Sequence, residues 1–277
     1  MNRRGFLAVA IAAATAGMGL TGCTGPKAAT CRMQCGATDG RQTIELRTYT
    51  FASEEKLQIF AGLFEKAMAP ALNRAGCKPV GAFRMMKADN PKLNLEADAL
   101  KVYVVVPHAT PGAFFTLGKR LAADAEFMAA ARPVMDTPMK DPVYLRVETQ
   151  LLLGFKGCPA VSAPAKGPDR VAQLRIYESH NCQKAGLKVA MFNEGGEIEI
   201  FRRVGMNPVL FGQSLAGTLM PNLTYMLAFD SPAAMDEGWG AFRKDPAWTK
   251  LKDDPKYADT VSNISNFVLR PLPGSQI

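Results

Sequence analysis

Residues 43–51 read TIELRTYTF, and residues 171–179 read VAQLRIYES. Both alternate as strands do. Both carry Leu-Arg-x-Tyr in one register: Leu46, Arg47 and Tyr49 in the first copy, Leu174, Arg175 and Tyr177 in the second. Repetition at a fixed separation marks a duplicated structural unit. The match extends downstream of each copy. Apolar Leu57, Phe60, Leu63, Phe64, Met68 and Leu72 predict a helix from about Ser53 to Ala75. Leu187, Met191, Ile198 and Phe201 predict its counterpart from about Cys182 to Val204, broken or kinked at Gly195-Gly196. Gly76-Cys77-Lys78-Pro79-Val80 then pairs with Gly205-Met206-Asn207-Pro208-Val209, each placing Gly at a helix end and Pro before a strand.

Further strands are expected over Leu100 to Val106 and Leu223 to Phe229, and helices opening at Pro111 and Pro232. Last strands fall near Val143 to Leu152 and Val261 to Leu269. Each unit therefore reads β-α-β-β-α-β, the ferredoxin-like order. The units span residues 43–154 and 169–277, and a Pro/Ala/Gly-rich linker, 155–168, joins them. A ferredoxin-like sheet has helices on one face and leaves the other bare. Packing the two bare faces together buries both. The expected fold class is α+β, with tandem ferredoxin-like units closed as an intrachain dimeric α+β barrel.

Residues two apart on a strand share a face, so Arg47 and Tyr49 point together, as do Arg175 and Tyr177. Assigning Ile44 and Leu46 to the helix layer turns the Arg/Tyr face into the barrel. A cavity between the sheets is then the expected ligand site. Guanidinium and phenol suit a ligand with an anionic or carbonyl group. The competing reading pairs these arginines with Glu45, Glu197 or Glu199 as part of the wall.

The chain opens with Arg3-Arg4 and an apolar run from Phe6 to Leu20, shorter than the ~20 residues a membrane span needs. Leu20-Thr21-Gly22-Cys23 follows. Residues 1–22 thus read as a twin-arginine-like export signal, with Cys23 the lipidated residue of an envelope-anchored, extracytoplasmic lipoprotein and 23–42 its tether. Acyl chains on Cys23 make membrane lipid the expected partner. A net charge of +8 without any Lys/Arg block argues against nucleic acid. Cys31, Cys35, Cys77, Cys158 and Cys182 remain besides Cys23; five is odd, and no pairing is assigned. Cys31 and Cys35 have no nearby second pair to complete a zinc site, so no metal is expected.

His108 and His180 are the sole histidines. His108 reads as a helix-start or turn residue. His180 follows the Arg175/Tyr177 strand near the barrel mouth, where a general base or haem ligand would stand, although a surface role is the plainer reading. Serine-hydrolase, Walker, dinucleotide and zincin motifs are absent. Arg202 and Arg203 fall at a helix end, where cations offset the dipole. Trp239 and Trp248 read as core.

Five stretches carry a family resemblance: ELRTYTF (Glu45 to Phe51), EIEIFRRVGMNPVLFGQ (Glu197 to Gln213), MPNLTYMLAFD (Met220 to Asp230), FRKDPAW (Phe242 to Trp248) and SNISNFVLRP (Ser262 to Pro271). They resemble the NIPSNAP family of the dimeric α+β barrel superfamily, over residues 43–277 and most closely in the second unit. The first unit departs: it has no Phe-Arg-Arg, and Met85-Met86-Lys87 leads into a longer hairpin loop. The resemblance implies the fold and no single reaction. Candidate ligand contacts are Arg47, Tyr49, Arg175, Tyr177 and His180. The leading expectation is an anchored binding protein for a small, largely apolar ligand. Its rivals are a cofactor-free or haem-dependent oxygenase and a protein-interaction scaffold. Homo-oligomerisation stays open.

Overall fold

The structure, a computed structural model, describes residues 39–93 and 100–277. They fall within one compact unit, Gly36–Ile277. The leader, Cys23, Cys31 and Cys35 lie outside the described residues.

The first repeat runs β1 (Thr43–Thr50), α1 (Glu54–Leu63), a π-helical turn (Phe64–Met68), α2 (Ala69–Arg74), β2 (Gly81–Met85), β3 (Lys101–His108), α3 (Pro111–Ala122), α4 (Ala125–Met135) and β4 (Arg146–Gly154). The second runs β5 (Val171–Glu178), α5 (Cys182–Asn193), α6 (Glu197–Arg203), β6 (Asn207–Ala216), β7 (Asn222–Phe229), α7 (Pro232–Lys244), α8 (Pro246–Lys252) and β8 (Asn263–Pro271). The repeats start their helices alike. Ser53 and Asn181 accept hydrogen bonds from Lys56 N and Lys184 N, capping α1 and α5. Thr110 and Ser231 cap α3 and α7, each just ahead of the proline that opens the helix. Gly76 and Gly205 follow the first helical segments with φ of 79° and 77°, the left-handed turn that ends a helix. As expected, α5 and α6 are separated at Gly195-Gly196. Pro208 differs from expectation. It lies inside β6 rather than before it, and the ladder to β7 shifts between Pro208 and Leu210 because proline has no N–H to pair.

Among the described residues eight strands form one closed antiparallel barrel in the order β1-β3-β2-β8-β5-β7-β6-β4. The repeats join at β2–β8 and β4–β6, so the chain closes on itself as expected and no strand edge stays open. Strand parity then decides which side chains face inward. Ile44 and Leu46 of β1, Tyr103 and Val105 of β3, Leu174 of β5 and Met226 of β7 meet in one buried cluster with Phe83, Leu152 and Leu269, which fills the lumen. Gln150 donates to Ser214, Asn222 and Thr224 beside a remaining void of only ≈ 70 Å³, lined in part by Thr48 and Thr149.

This corrects the facing of the strands. Arg47, Tyr49, Arg175 and Tyr177 point outward under the helices, and Ile44, Leu46 and Leu174 point inward. The lumen is a packed core and not a ligand cavity. The reason is desolvation. A lumen filled by that cluster leaves a void of only ≈ 70 Å³, too small to keep a guanidinium hydrated, whereas the sheet–helix layer can carry polar partners and opens to solvent at its margins.

Candidate ligand-binding site

Each Arg-x-Tyr pair lies in a pocket between the outer sheet face and the helices, but the two pockets differ in charge. In β1, Arg47 donates twice to Glu45, Nε to Oε1 at 2.6 Å and Nη2 to Oε2 at 2.9 Å. His108 Nε2 lies 3.1 Å from Glu45 Oε2, and its Nδ1 is 3.8 Å from Cys77 Sγ. Burial raises the Glu45 carboxyl pKa. The hydrogen bonds from His108 and Arg47 outweigh it, and the group titrates below its ordinary value. The pairing of Arg47 with Glu45 thus holds. His108 is corrected: it is fully buried against Glu45, Cys77 and the Phe114 ring, and Thr110 does the capping.

In β5 the register position of Glu45 is held by Gln173. Arg175 therefore lacks the carboxylate that Arg47 has two residues before it on its strand. Among the described residues no carboxylate oxygen lies within 4 Å of it. Glu197 is engaged by Lys188 at 3.0 Å, and Glu199 pairs with Arg202. The guanidinium of Arg175 instead lies 4.8 Å from the Trp239 ring centre, 5.3 Å from Tyr177 and 6.0 Å from Tyr225. Its Nε is buried with no hydrogen-bond partner. Burial pushes both phenols up, Tyr225 well above its ordinary value, and their oxygens are 3.1 Å apart. Burial also outweighs Lys188 at Glu197, whose carboxyl sits above the ordinary range.

Arg175 opens on a cleft of ≈ 870 Å³ between β5/β8 and α7/α8. An amide chain fixes its floor. Trp239 Nε1 donates to Gln173 Oε1 at 2.6 Å, and Gln173 Nε2 donates to Asn266 Oδ1 at 2.8 Å. One wall, residues 89–93, comes from the first repeat. Asn90 locks it to β8 by accepting from Val268 N at 2.9 Å and donating to Val268 O at 2.8 Å. Asp89 adds a bidentate pair with Arg270, both contacts at 2.7 Å. Sequence reasoning missed this wall, the amide chain and Trp239, whose ring it assigned to the core. The usable signal was the Glu45-to-Gln173 exchange between otherwise matching strands.

His180 is not brought to the site. It is exposed in the turn before α5 and does not line the cleft. The cleft wall therefore offers no imidazole to a haem iron, and the residues present do not fit a histidine-ligated haem. Among the described residues no group of three or more His, Cys, Asp or Glu could hold a metal ion. Cys77, Cys158 and Cys182 are free thiols, and burial pushes the first two up. Arg202 and Arg203 end α6, as expected, and Arg203 clasps Asp245.

A search among curated proteins returns no match to this chain. Similar solved structures include a Fusobacterium nucleatum subsp. nucleatum protein provisionally described as a monooxygenase. It has a TM-score of 0.54 and 9% identity, over 84% of this chain and 93% of that one. A Lactobacillus acidophilus NCFM protein described in the same terms has a TM-score of 0.52 and 12% identity, over 83% and 94%. These likenesses show the barrel fold. A NIPSNAP family protein of unknown function from Agrobacterium tumefaciens str. C58 is 24% identical, with a TM-score of 0.33, over 40% of this chain and 95% of that one. The family model NIPSNAP matches residues 172–276, the repeat that holds the cleft. The second repeat of this chain is a NIPSNAP domain.

Proposed function

We propose that this chain is a binding protein for a small organic anion with a flat apolar body, taken up in the Arg175 cleft. One observation carries the reading. A guanidinium with no carboxylate partner among the described residues and an unsatisfied buried Nε stands beside an aromatic ring at the edge of a cleft large enough for a small molecule. A ligand carboxylate supplies the missing counter-charge and acceptor, and Trp239 supplies a ring to stack on. Naphthoate is a suitable probe. Arg175→Met should weaken its binding, measured by titration calorimetry, by about ten- to a hundredfold, the cost of a charge-assisted hydrogen bond. The uncharged methyl ester should bind wild type and variant equally. Equal naphthoate affinity in the two proteins would sink the reading.

The reading also places this binding outside the cytoplasm, on the envelope. Leu20-Thr21-Gly22-Cys23 and the preceding apolar run support it. Cys23→Ala should move the protein from the washed membrane fraction to the soluble one without altering its melting temperature. Wild-type levels in the membrane fraction would count against the anchor.

A further inference from the structure

The first repeat holds a second pocket, of ≈ 360 Å³, between β1 and helices α1, α3 and α4. The same helix position governs both pockets. Gly118 is the seventh residue after Pro111, and Trp239 is the seventh after Pro232. Trp239 covers Arg175 in the cleft, whereas a Cβ at Gly118 meets nothing within 4 Å. A second exchange removes polarity. Phe60 is the seventh residue after the cap Ser53, and Lys188 is the seventh after the cap Asn181. Phe60 packs on Tyr49 with ring centres 4.4 Å apart, where Lys188 brings an ammonium to within 5.5 Å of the Tyr177 ring. The arginine on this wall is already closed off by Glu45, through both of its carboxylate oxygens. Leu121, Phe127 and Met128 complete an apolar lining, and half-exposed Met135 and Tyr144 also border the pocket.

We propose that this pocket is a second binding site, for an uncharged, largely hydrocarbon molecule carrying one carbonyl or hydroxyl oxygen toward Tyr49. The charge state of the wall selects the class. With Arg47 neutralised, an anion gains no counter-charge and loses its hydration, while a neutral aromatic body gains contact with the ring and thioether side chains. The phenol of Tyr49, which burial keeps protonated, is the hydrogen-bond donor for the ligand oxygen. The site is independent of Arg175.

The test uses the full-length protein and the neutral naphthyl ketone fluorophore prodan, whose emission reports both polarity and hydrogen bonding. Wild type should bind it saturably. Gly118→Trp, which installs the residue of the other repeat, should cut affinity at least ~10-fold, and Gly118→Leu by less. Neither should lower the melting temperature, because glycine is the poorest helix former apart from proline. Tyr49→Phe should shift the bound emission to the blue, and Arg175→Met should change nothing. Absence of saturable binding by wild type, or equal binding by Gly118→Trp, overturns the proposal. So does loss of binding in Arg175→Met with retention in Gly118→Trp, which would place the dye in the cleft.

Discussion

Leu174→Arg should leave almost no soluble folded protein, although the neighbouring position already holds an arginine. Leu174 is fully buried and pairs with Met226 on one side and Phe267 on the other, inside the lumen. A guanidinium placed there enters a void of only ≈ 70 Å³, too small to keep it hydrated, and the carboxylate that lines that void, Glu148, is exposed to solvent. The desolvation cost, several kcal/mol or more, is comparable to the ~5–15 kcal/mol that holds a domain together. Arg175 escapes this because strand parity turns it to the other side of the sheet, under Trp239. The soluble fraction and circular dichroism of Leu174→Arg and Arg175→Leu, made side by side, check the facing directly. A folded Leu174→Arg with a melting temperature near wild type would mean that the lumen is not the closed core described here.

Glu45→Gln should destabilise the protein by about 3–5 kcal/mol, because it strands the buried charge of Arg47 and unsettles His108. For a chain of this size that corresponds to a fall of roughly 10 °C in melting temperature. The same group sets an acid limit. Its folded pKa is lower than its unfolded one, so its stabilisation is complete above the ordinary carboxylate range and is lost as pH falls through the lowered folded value. Glu45→Gln should flatten that acid limb of the stability curve while lowering the neutral plateau. A variant with an unchanged plateau would show that Arg47 is satisfied without Glu45. The contrast with the second repeat is instructive, since Gln173 occupies that register there naturally and Arg175 rests on rings instead.

The repeated Leu-Arg-x-Tyr register, the glycines after the first helices and the helix-opening prolines make the architecture legible in the sequence. They act locally, through φ preferences, caps and strand alternation. The facing of the sheet was not legible in the same way. Alternation says that Leu46 and Arg47 oppose each other, yet not which of them looks at the helices. In β3 and β7 the neighbouring strands are largely apolar on both faces, as Val102 to Val106 and Tyr225 to Phe229 show, so they cast no vote. The deciding residues were distant: Trp239 lies on a helix and supplies the ring on which an outward-facing Arg175 rests, and Lys188 and Glu197 form a buried ion pair in the same outer layer. The cleft wall at 89–93 was hidden for a related reason. It joins the two repeats through Asn90, and nothing in either repeat alone signals a contact made to the other.

Closing the barrel within one chain also frees its two sides from each other. In a barrel assembled from two identical subunits, one codon serves both pockets, and a change that suits one ligand is imposed on the other. Here Glu45 and Gln173, or Gly118 and Trp239, are separate letters of one text. Each side can drift toward its own chemistry while the shared lumen holds the copies together. A titration on such a molecule has no reason to show two equal sites, and a stoichiometry of one per chain for a charged probe would be the direct mark of that divergence.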